Sequence, residues 1–257
     1  MRQGLGRLRR AAMGLGMALG LVLGGCAARP EQATSDPRPF AVRTPQPLLP
    51  MPRNTPPELP FTTAEALLPK IEALYPKIGG WPPAYASAAE RTSLYAEWTQ
   101  LLNVARVLEA QEQGSEPSRY ALAELYRLGH NLDVAESGVE AQRRFRACID
   151  VYPQTIACHF TAIRYYLAVA PLQLDLAERS LTALRARMSP EFNEEVERGY
   201  AFLHVYRNDP VAAGRQIADY LALFPQSPMA PTFRLMQQAL RQGKSIVTDF
   251  PEPSSKR

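Results

Sequence analysis

The sequence is poor in the residues and motifs on which metal centres and common catalytic sites depend. It contains three cysteines and three histidines among 257 residues, and none of them has a metal-ligand spacing such as HxxxH or CxxC. It also lacks GxSxG, Ser-x-x-Lys, HExxH and a glycine-rich phosphate loop. The sequence therefore predicts no metal, no cofactor and no catalytic residues. A pair of catalytic carboxylates is the open alternative, because such residues need not be neighbours in sequence.

An excess of one charge sign is also absent from most of the chain. The formal charge is +4, but four of the 29 basic residues and none of the 25 acidic residues lie in residues 1–25. The remainder carries 25 residues of each sign and is formally neutral. This balance argues against the electrostatic footprint of a nucleic-acid-binding protein.

The longest uncharged apolar run near the start is too short to cross a membrane. It extends over 13 residues, Ala11 to Leu23, after a basic segment with four arginines. A helix needs about 20 residues to span the hydrocarbon core. A basic start, a short apolar run and small residues before a break are typical of a secretory signal peptide, which we assign to residues 1–25.

The end of that segment reads Leu23-Gly24-Gly25-Cys26 and resembles the bacterial lipobox. The resemblance implies that Cys26 is acylated (palmitate among the acyl chains) and becomes the new N-terminus, where several chains make membrane attachment durable. By resemblance to Gram-negative lipoproteins, Ala27 in place of aspartate favours the outer membrane, facing the periplasm. An ordinary cleaved signal with an incidental cysteine, or an uncleaved anchor, is the alternative.

Ten of the 24 prolines lie in residues 27–60. Proline fixes φ and removes a backbone donor, so neither a helix nor a central strand persists at such density. We interpret residues 26–60 as the lipidated cysteine followed by a semi-rigid proline-rich tether. Fully extended, its 34 residues after the cysteine reach ~100 Å. Recognition of its PxxP-like segments by a partner is the alternative.

The rest of the chain has helical periodicity. Thr62 with Glu65, and Ser87 with Glu90, have the capping-box spacing. Apolar residues at spacings of three and four follow, on one helical face: Leu94, Trp98, Leu101, Leu102, Ala105 and Leu108. No long apolar–polar alternation predicts a strand. The sequence thus predicts an all-α fold, with a helical pair in residues 61–116 that is interrupted at Gly79-Gly80-Trp81-Pro82-Pro83.

Residues 117–242 show an internal period. Tyr152-Pro153, Ser189-Pro190 and Phe224-Pro225 mark helix ends 37 and 35 residues apart, which predicts stacked helix pairs. Residues at tetratricopeptide positions give the resemblance: Ala201, Ala213 and Pro225 in the last interval, and Ala141, Phe145, Cys148 and Pro153 in the first.

The match to tetratricopeptide repeats is incomplete. Ile217 and Tyr220 depart from the pattern, the middle interval diverges most, and Tyr126-Arg127-Leu128-Gly129 resembles the related Sel1-like repeats. The resemblance implies antiparallel helix pairs stacked as a short α-solenoid, closed by a capping helix near Met229–Arg241. A flexible tail, residues 243–257, would follow. A non-repeating helical bundle is the alternative.

Cys148 and Cys158 lie five residues on either side of Pro153. Two helices that fold back at that proline can bring them together, and an exported protein meets an oxidising environment. The sequence therefore predicts a disulfide between them. The alternative is a pair of small buried residues.

In tetratricopeptide arrays the first helix of each unit lines the concave surface. Arginine and tyrosine, which are enriched at interface hot spots, are frequent in those helices here. The resemblance implies a peptide-binding groove with these candidates: Arg119, Tyr126, Arg127, Arg164, Tyr165, Tyr166, Arg198, Tyr206 and Arg207. The alternative is that half the tyrosines are core residues.

We interpret Glu194, Glu195 and Glu197 as a solvated face at a helix start.

Together these features predict a lipoprotein of the cell envelope, anchored by its lipid, that is not an enzyme. Its function would be to bind an envelope protein or peptide as a scaffold or assembly factor. An accessory factor or small hydrolase acting on cell-wall or polysaccharide material is the alternative function.

Overall fold

A computed structural model of the chain describes residues 46–55, 61–169, 172–190, 193–244 and 246. The predicted signal peptide, Cys26, Ala27, the greater part of the proline-rich tether and most of the predicted tail lie outside these residues. The predictions made for them are therefore not addressed by the structure.

The described chain is helical, which confirms the predicted all-α class for this part of the protein. Its α-helices are α1 (Ala64–Glu72), α2 (Ala88–Gln111), α3 (Glu116–Asn131), α4 (Ser137–Val151), α5 (Ile156–Tyr166), α6 (Leu174–Arg185), α7 (Glu194–Tyr206), α8 (Pro210–Leu223) and α9 (Ala230–Arg241). A π-helical turn, Tyr75–Gly79, follows α1. Pairing of strand type among the described residues is limited to a bridge between Leu49 and Val134.

Polar side chains cap several of these helices where the chain enters them. The Ser87 hydroxyl accepts a hydrogen bond from the Glu90 amide at 3.1 Å, as its capping spacing predicts. At α1 the cap is Thr63, whose Oγ1 accepts from the Ala66 amide, so the prediction of Thr62 was wrong by one residue. Thr155 and Asp209 cap α5 and α8 in the same way.

The apolar face predicted for α2 forms the N-terminal part of the core. Its six apolar residues are all buried, and Trp98 is fully enclosed. The Trp98 indole N–H donates to the Leu125 carbonyl of α3 at 2.7 Å. α2 therefore contacts α3 through both apolar packing and a buried polar bond.

Consecutive helices pack against each other from α1 to α9, most extensively α3 with α4 and α7 with α8, and α2 packs against α3 as extensively as α5 packs against α6. From α2 to α9, short connections join successive helices, and the packing is consistent with a helical repeat. A second apolar cluster joins α8 to α9 through Ile217, Tyr220 and Phe233. No helix in the described ranges has the length and apolarity needed to span a membrane.

Small residues allow the close helix contacts. A Cβ atom at Gly129 of α3 would lie 2.4 Å from the Trp98 ring and 2.5 Å from the Ser137 hydroxyl. Ala141, Ala201 and Ala213, which occupy predicted small positions, are buried. The side-chain volume at these positions therefore controls the distance between neighbouring helices.

Residues 46–55, within the predicted tether, lie against the folded body. The Leu49 amide donates to the Asp133 carbonyl, and the Ala135 amide donates to the Leu49 carbonyl, each at 2.8 Å. This differs from the expected spacer. The sequence could not indicate it, because the contacts are made by backbone carbonyls and by donors more than 35 residues away.

Candidate functional site

A pocket of about 360 Å³ opens where α3, α5 and α7 meet the loop that follows the π-helical turn. These three helices are every second helix along the chain, and each is followed by its packing partner, α4, α6 or α8. The pocket is lined by Gly79, Gly80, Trp81, Arg127, Asn131, Arg164, Tyr165, Leu167, Ala168, Val169, Arg198, Phe202 and Tyr206.

Five of the nine groove candidates line this pocket: Arg127, Arg164, Tyr165, Arg198 and Tyr206. The structure adds three prominent side chains that the sequence interpretation missed, Trp81, Asn131 and Phe202. Asn131 lies four residues after Arg127 and Phe202 four residues after Arg198, so helical spacing from the predicted arginines was the available signal. For Trp81, the sequence predicts only a position in a break between helices.

The other four candidates lie elsewhere. Tyr126 is buried, and its hydroxyl accepts hydrogen bonds from Arg106. Tyr166 lines a separate cavity between α4, α5 and α6. Arg119 donates to the Gly114 carbonyl at 2.7 Å, and Arg207 pairs with Asp175 and Glu178 of α6. Their contacts are within the fold, so they do not form one surface with the pocket.

Arg127, which lines the pocket, belongs to a buried ion pair on α3. The Arg127 guanidinium donates to both carboxylate oxygens of Glu124, at 3.0 and 2.5 Å. Burial raises the pKa of Glu124, but the Arg127 and Arg164 guanidiniums outweigh it, and the net pKa is below its usual value. The pKa of Arg127 is net raised, because Glu124 outweighs its burial. Both groups are therefore ionised, and the positive charge of Arg127 is balanced by the negative charge of Glu124.

The same arginine fixes the loop that closes one end of the pocket. Arg127 Nη1 donates to the Gly79 carbonyl at 2.8 Å. The Asn131 amide donates to the carbonyls of Ile78 at 2.8 Å and Gly80 at 3.2 Å. These bonds hold the glycine-rich turn by its backbone, which leaves the following side chain at the pocket edge.

That side chain, Trp81, is 41% exposed. Its ring stacks on His130 with centroids 5.7 Å apart, and His130 meets the edge of Tyr165 at the same distance. Burial, with a smaller contribution from Arg127, lowers the pKa of His130 to about 4. A neutral imidazole thus joins the loop to α5.

The opposite rim carries Arg164 and Arg198, which share one carboxylate. Arg164 binds both oxygens of Glu195, at 2.5 and 2.9 Å. Arg198 Nη2 lies 3.8 Å from the same carboxylate, beyond hydrogen-bond distance. Of the three arginines that line the pocket, Arg198 lies farthest from the carboxylate with which it pairs.

The interpretation of Glu194, Glu195 and Glu197 as a solvated face was wrong. Glu197 is buried and binds Arg185 and the Gln216 amide. Glu194 accepts from the Tyr220 and Ser227 hydroxyls at 2.7 and 2.6 Å. The acidic residues at the start of α7 thus form hydrogen bonds and ion pairs with side chains outside α7. A run of like charges in the sequence does not indicate such partners.

The apolar wall of the pocket includes Phe202 and Tyr206. Their rings stack one helical turn apart with centroids 6.0 Å apart and an interplanar angle of 21°. Burial raises the pKa of Tyr206, so its phenol is neutral at physiological pH. The pocket therefore combines an aromatic wall with an arginine, Arg198, whose guanidinium lies 3.8 Å from the Glu195 carboxylate, beyond hydrogen-bond distance.

Cys148 and Cys158 are joined by a disulfide, with Cα atoms 6.3 Å apart. The bond links the end of α4 to the start of α5 and takes no part in the pocket. Within the described ranges, no three histidine, cysteine or acidic side chains are grouped as metal ligands.

The comparisons with known proteins found no match for this chain. The chain matches no protein-family model, no curated protein and no solved structure.

Proposed function

We propose that the protein is a lipid-anchored scaffold or assembly factor of the bacterial cell envelope, and that it binds a segment of another envelope protein in the pocket of α3, α5 and α7. The observation that carries the proposal is the convergence of arginine and aromatic side chains from three alternate helices on one cavity. Such side chains contribute most to protein interfaces.

A short tetratricopeptide-like solenoid would account for this arrangement. In that architecture the first helices of successive pairs line the concave surface, and the second helices stand behind them. Here α3, α5 and α7 supply the pocket, whereas α4, α6 and α8 supply none of its lining. The pairing of helices and the period of the chain support the same interpretation.

The charges of the pocket define the segment that it would accept. Arg127 is neutralised by Glu124 and Arg164 by Glu195, so a strongly acidic ligand would find few free donors. A single carboxylate could bind Arg198 while an adjacent aromatic or large aliphatic side chain packs against Phe202 and Tyr206. Charge-assisted bonds and aromatic packing favour this combination.

The sequence supports the cellular setting of the proposal. The basic start, the short apolar run and Leu23-Gly24-Gly25-Cys26 are typical of a lipoprotein signal, and Ala27 favours the outer membrane. Cys26 would carry the lipid, so the folded helices would face the periplasm.

A crosslinking pull-down from cells would test the function. We expect the wild-type chain to capture a defined envelope protein, and the Arg198→Ala/Phe202→Ala variant to capture at least about tenfold less. Arg215→Ala is the matched control, since Arg215 is an exposed arginine of α8 outside the pocket. Circular dichroism would verify equal helicity.

Two further outcomes bear on the proposal. Equal capture by all three forms would contradict the role of the pocket. A Cys26→Ser variant that fractionates with the membrane as well as the wild type would contradict the lipid anchor.

A further inference from the structure

Residues 46–55, which we call the strap, follow α2 in an extended conformation. Successive proline carbonyls accept hydrogen bonds from side chains of that helix. Arg91 Nη2 donates to Pro47 O at 2.8 Å, and the Tyr95 hydroxyl donates to Pro50 O at 2.7 Å. Further along α2, Arg106 Nη1 donates to Pro52 O at 3.3 Å. The strap thus runs in the same direction as α2.

A bridge to the turn between α3 and α4 fixes the strap on its other side. Leu49 exchanges two backbone hydrogen bonds with Asp133 and Ala135. Arg91 joins the two sets of contacts, because it also donates to the Leu132 carbonyl at 2.9 Å and pairs with Asp133 at 3.3 Å. The strap therefore occupies a cleft with donors on one wall and a strand-like edge on the other.

Apolar contacts complete the docking. Leu49 and Met51 are half-buried and pack against the main core. Leu48, which precedes Leu49, is 70% exposed. Alternate side chains therefore face inward, as an extended peptide on a surface requires.

This cleft has the features of a site for extended proline-containing peptides. Proline offers a carbonyl acceptor and no N–H, and the cleft presents arginine and tyrosine donors to those carbonyls. Leu49, which is not proline, supplies the N–H for the bridge. Proline-rich segments also lose little conformational entropy on binding.

We infer that the cleft is a peptide-binding site for an extended proline-rich segment, and that its occupant is the strap of the same chain. A segment attached to the body acts at an effective concentration on the order of millimolar. A second copy of the chain at micromolar concentration competes poorly with it. The folded unit accordingly includes residues 46–55 as well as the helices.

This assignment changes the reach of the anchor, a consequence that rests on the proposed lipid at Cys26. If the cleft were empty, residues 27–60 could extend ~100 Å between the lipid and α1. With the strap docked, only residues 27–45 separate Cys26 from the body, which limits the reach to roughly 60 Å. The docked strap would thus shorten the greatest possible distance between the lipid and the folded helices.

Amide hydrogen exchange on the full chain would test the inference. The Ala135 amide reports the bridge, because it donates to Leu49. We expect Leu49→Asp, which places a charge at a half-buried apolar position, to accelerate Ala135 exchange about tenfold or more. In the Leu48→Asp variant, which changes the exposed neighbouring residue, the Ala135 amide should exchange at the wild-type rate. Circular dichroism would show that both variants keep their helices.

A synthetic peptide of residues 46–55 would test the site itself. Added to the Leu49→Asp chain at millimolar concentration, it should restore the protection of Ala135, and the same peptide with Leu49→Asp should not. Fast exchange in the wild type, or no protection by the peptide, would overturn the inference. A wild-type dimer with exchanged straps, detected by light scattering, would overturn its intramolecular form.

These measurements need neither the lipid nor a protein partner. The Cys26→Ser chain should give the same exchange pattern as the lipidated chain. Failure of the strap assignment and failure of the proposed scaffold function are therefore distinguishable.

Discussion

At the residue scale, Glu124 forms a buried ion pair with Arg127, which lines the pocket. Its side chain is fully enclosed, and both of its oxygens bind Arg127. In the sequence it forms an i,i+3 pair with Arg127, as Glu140 does with Arg143 on α4. The sequence could not separate these two pairs, because burial of the first depends on the loop and helix that pack over it.

The two pairs should differ sharply in their contribution to stability. Glu124→Gln leaves the Arg127 charge buried without its partner and should lower the free energy of unfolding by about 3–5 kcal/mol. Glu140→Gln alters an exposed pair and should cost no more than about 1 kcal/mol. Urea unfolding at neutral pH would measure both, and equal losses would contradict the buried pair.

His130 should make stability depend on pH. Its pKa is lowered by burial to about 4 in the folded state, against about 6.5 in an unfolded chain. The unfolded state therefore binds the proton more readily, and stability is lost as the pH falls from about 6.5 towards 4. Between about pH 7.5 and pH 5 the loss from this residue should be about 2 kcal/mol.

The His130→Gln variant isolates this contribution. His159 and His204 also have pKa values lowered chiefly by burial, and they remain in the variant. Urea unfolding at the two pH values should show a smaller acid-induced loss for His130→Gln than for the wild type. The same loss in both proteins would show that His130 is not buried as described.

At the element scale, close packing depends on small residues at particular helix positions. Gly129 of α3 faces the Trp98 ring and Ser137, whereas a Cβ atom at Gly214 of α8 would meet only the Leu240 side chain at 3.9 Å. Both glycines lie inside helices, so they share the same intrinsic helix propensity.

Alanine substitution should therefore have opposite effects at the two glycines. Gly129→Ala forces α2 or α4 to move and should destabilise the protein by about 1–3 kcal/mol. Gly214→Ala fits without a clash and should stabilise it by up to about 1 kcal/mol through helix propensity. Thermal unfolding would test the pair. A stabilising Gly129→Ala would contradict the close approach of these helices.

The disulfide between Cys148 and Cys158 should stabilise the junction of α4 and α5. It closes a short loop, with a sequence separation of 10 residues. Its removal in the Cys148→Ala/Cys158→Ala variant should cost about 2–3 kcal/mol, mainly through the entropy of the unfolded chain. Urea unfolding of the oxidised wild type and the variant would test this. Identical midpoints would contradict a structural bond.

The helical elements could be predicted from periodicity, but several of their partners could not. The apolar face of α2 and the cap at Ser87 follow from local spacing, which the sequence displays directly. The strap and the burial of Glu197 depend on residues distant in sequence. Composition alone indicated a spacer in the first case and a solvated face in the second.

At the scale of the whole molecule, the pocket requires contributions from separate parts of the chain. The loop at Trp81 comes from the N-terminal pair, and Arg164, Arg198 and Phe202 come from α5 and α7. The arginines could be predicted from the sequence, because a repeat places equivalent helix positions together. Trp81 could not, since no periodicity relates the loop to the helices that it covers.

Site-specific photocrosslinking in cells tests the proposed function most directly. A photoreactive phenylalanine analogue would replace Phe202 inside the pocket. In the control it would replace Val139, which is 71% exposed on α4 and outside the pocket. Comparable amounts of both proteins in the membrane fraction would establish equal exposure to partners.

We predict that position 202 forms a discrete adduct with one envelope protein, that position 139 does not, and that Arg198→Ala weakens the adduct. No adduct at position 202, or the same adduct from both positions, would contradict the account of the pocket as the binding site of a scaffold.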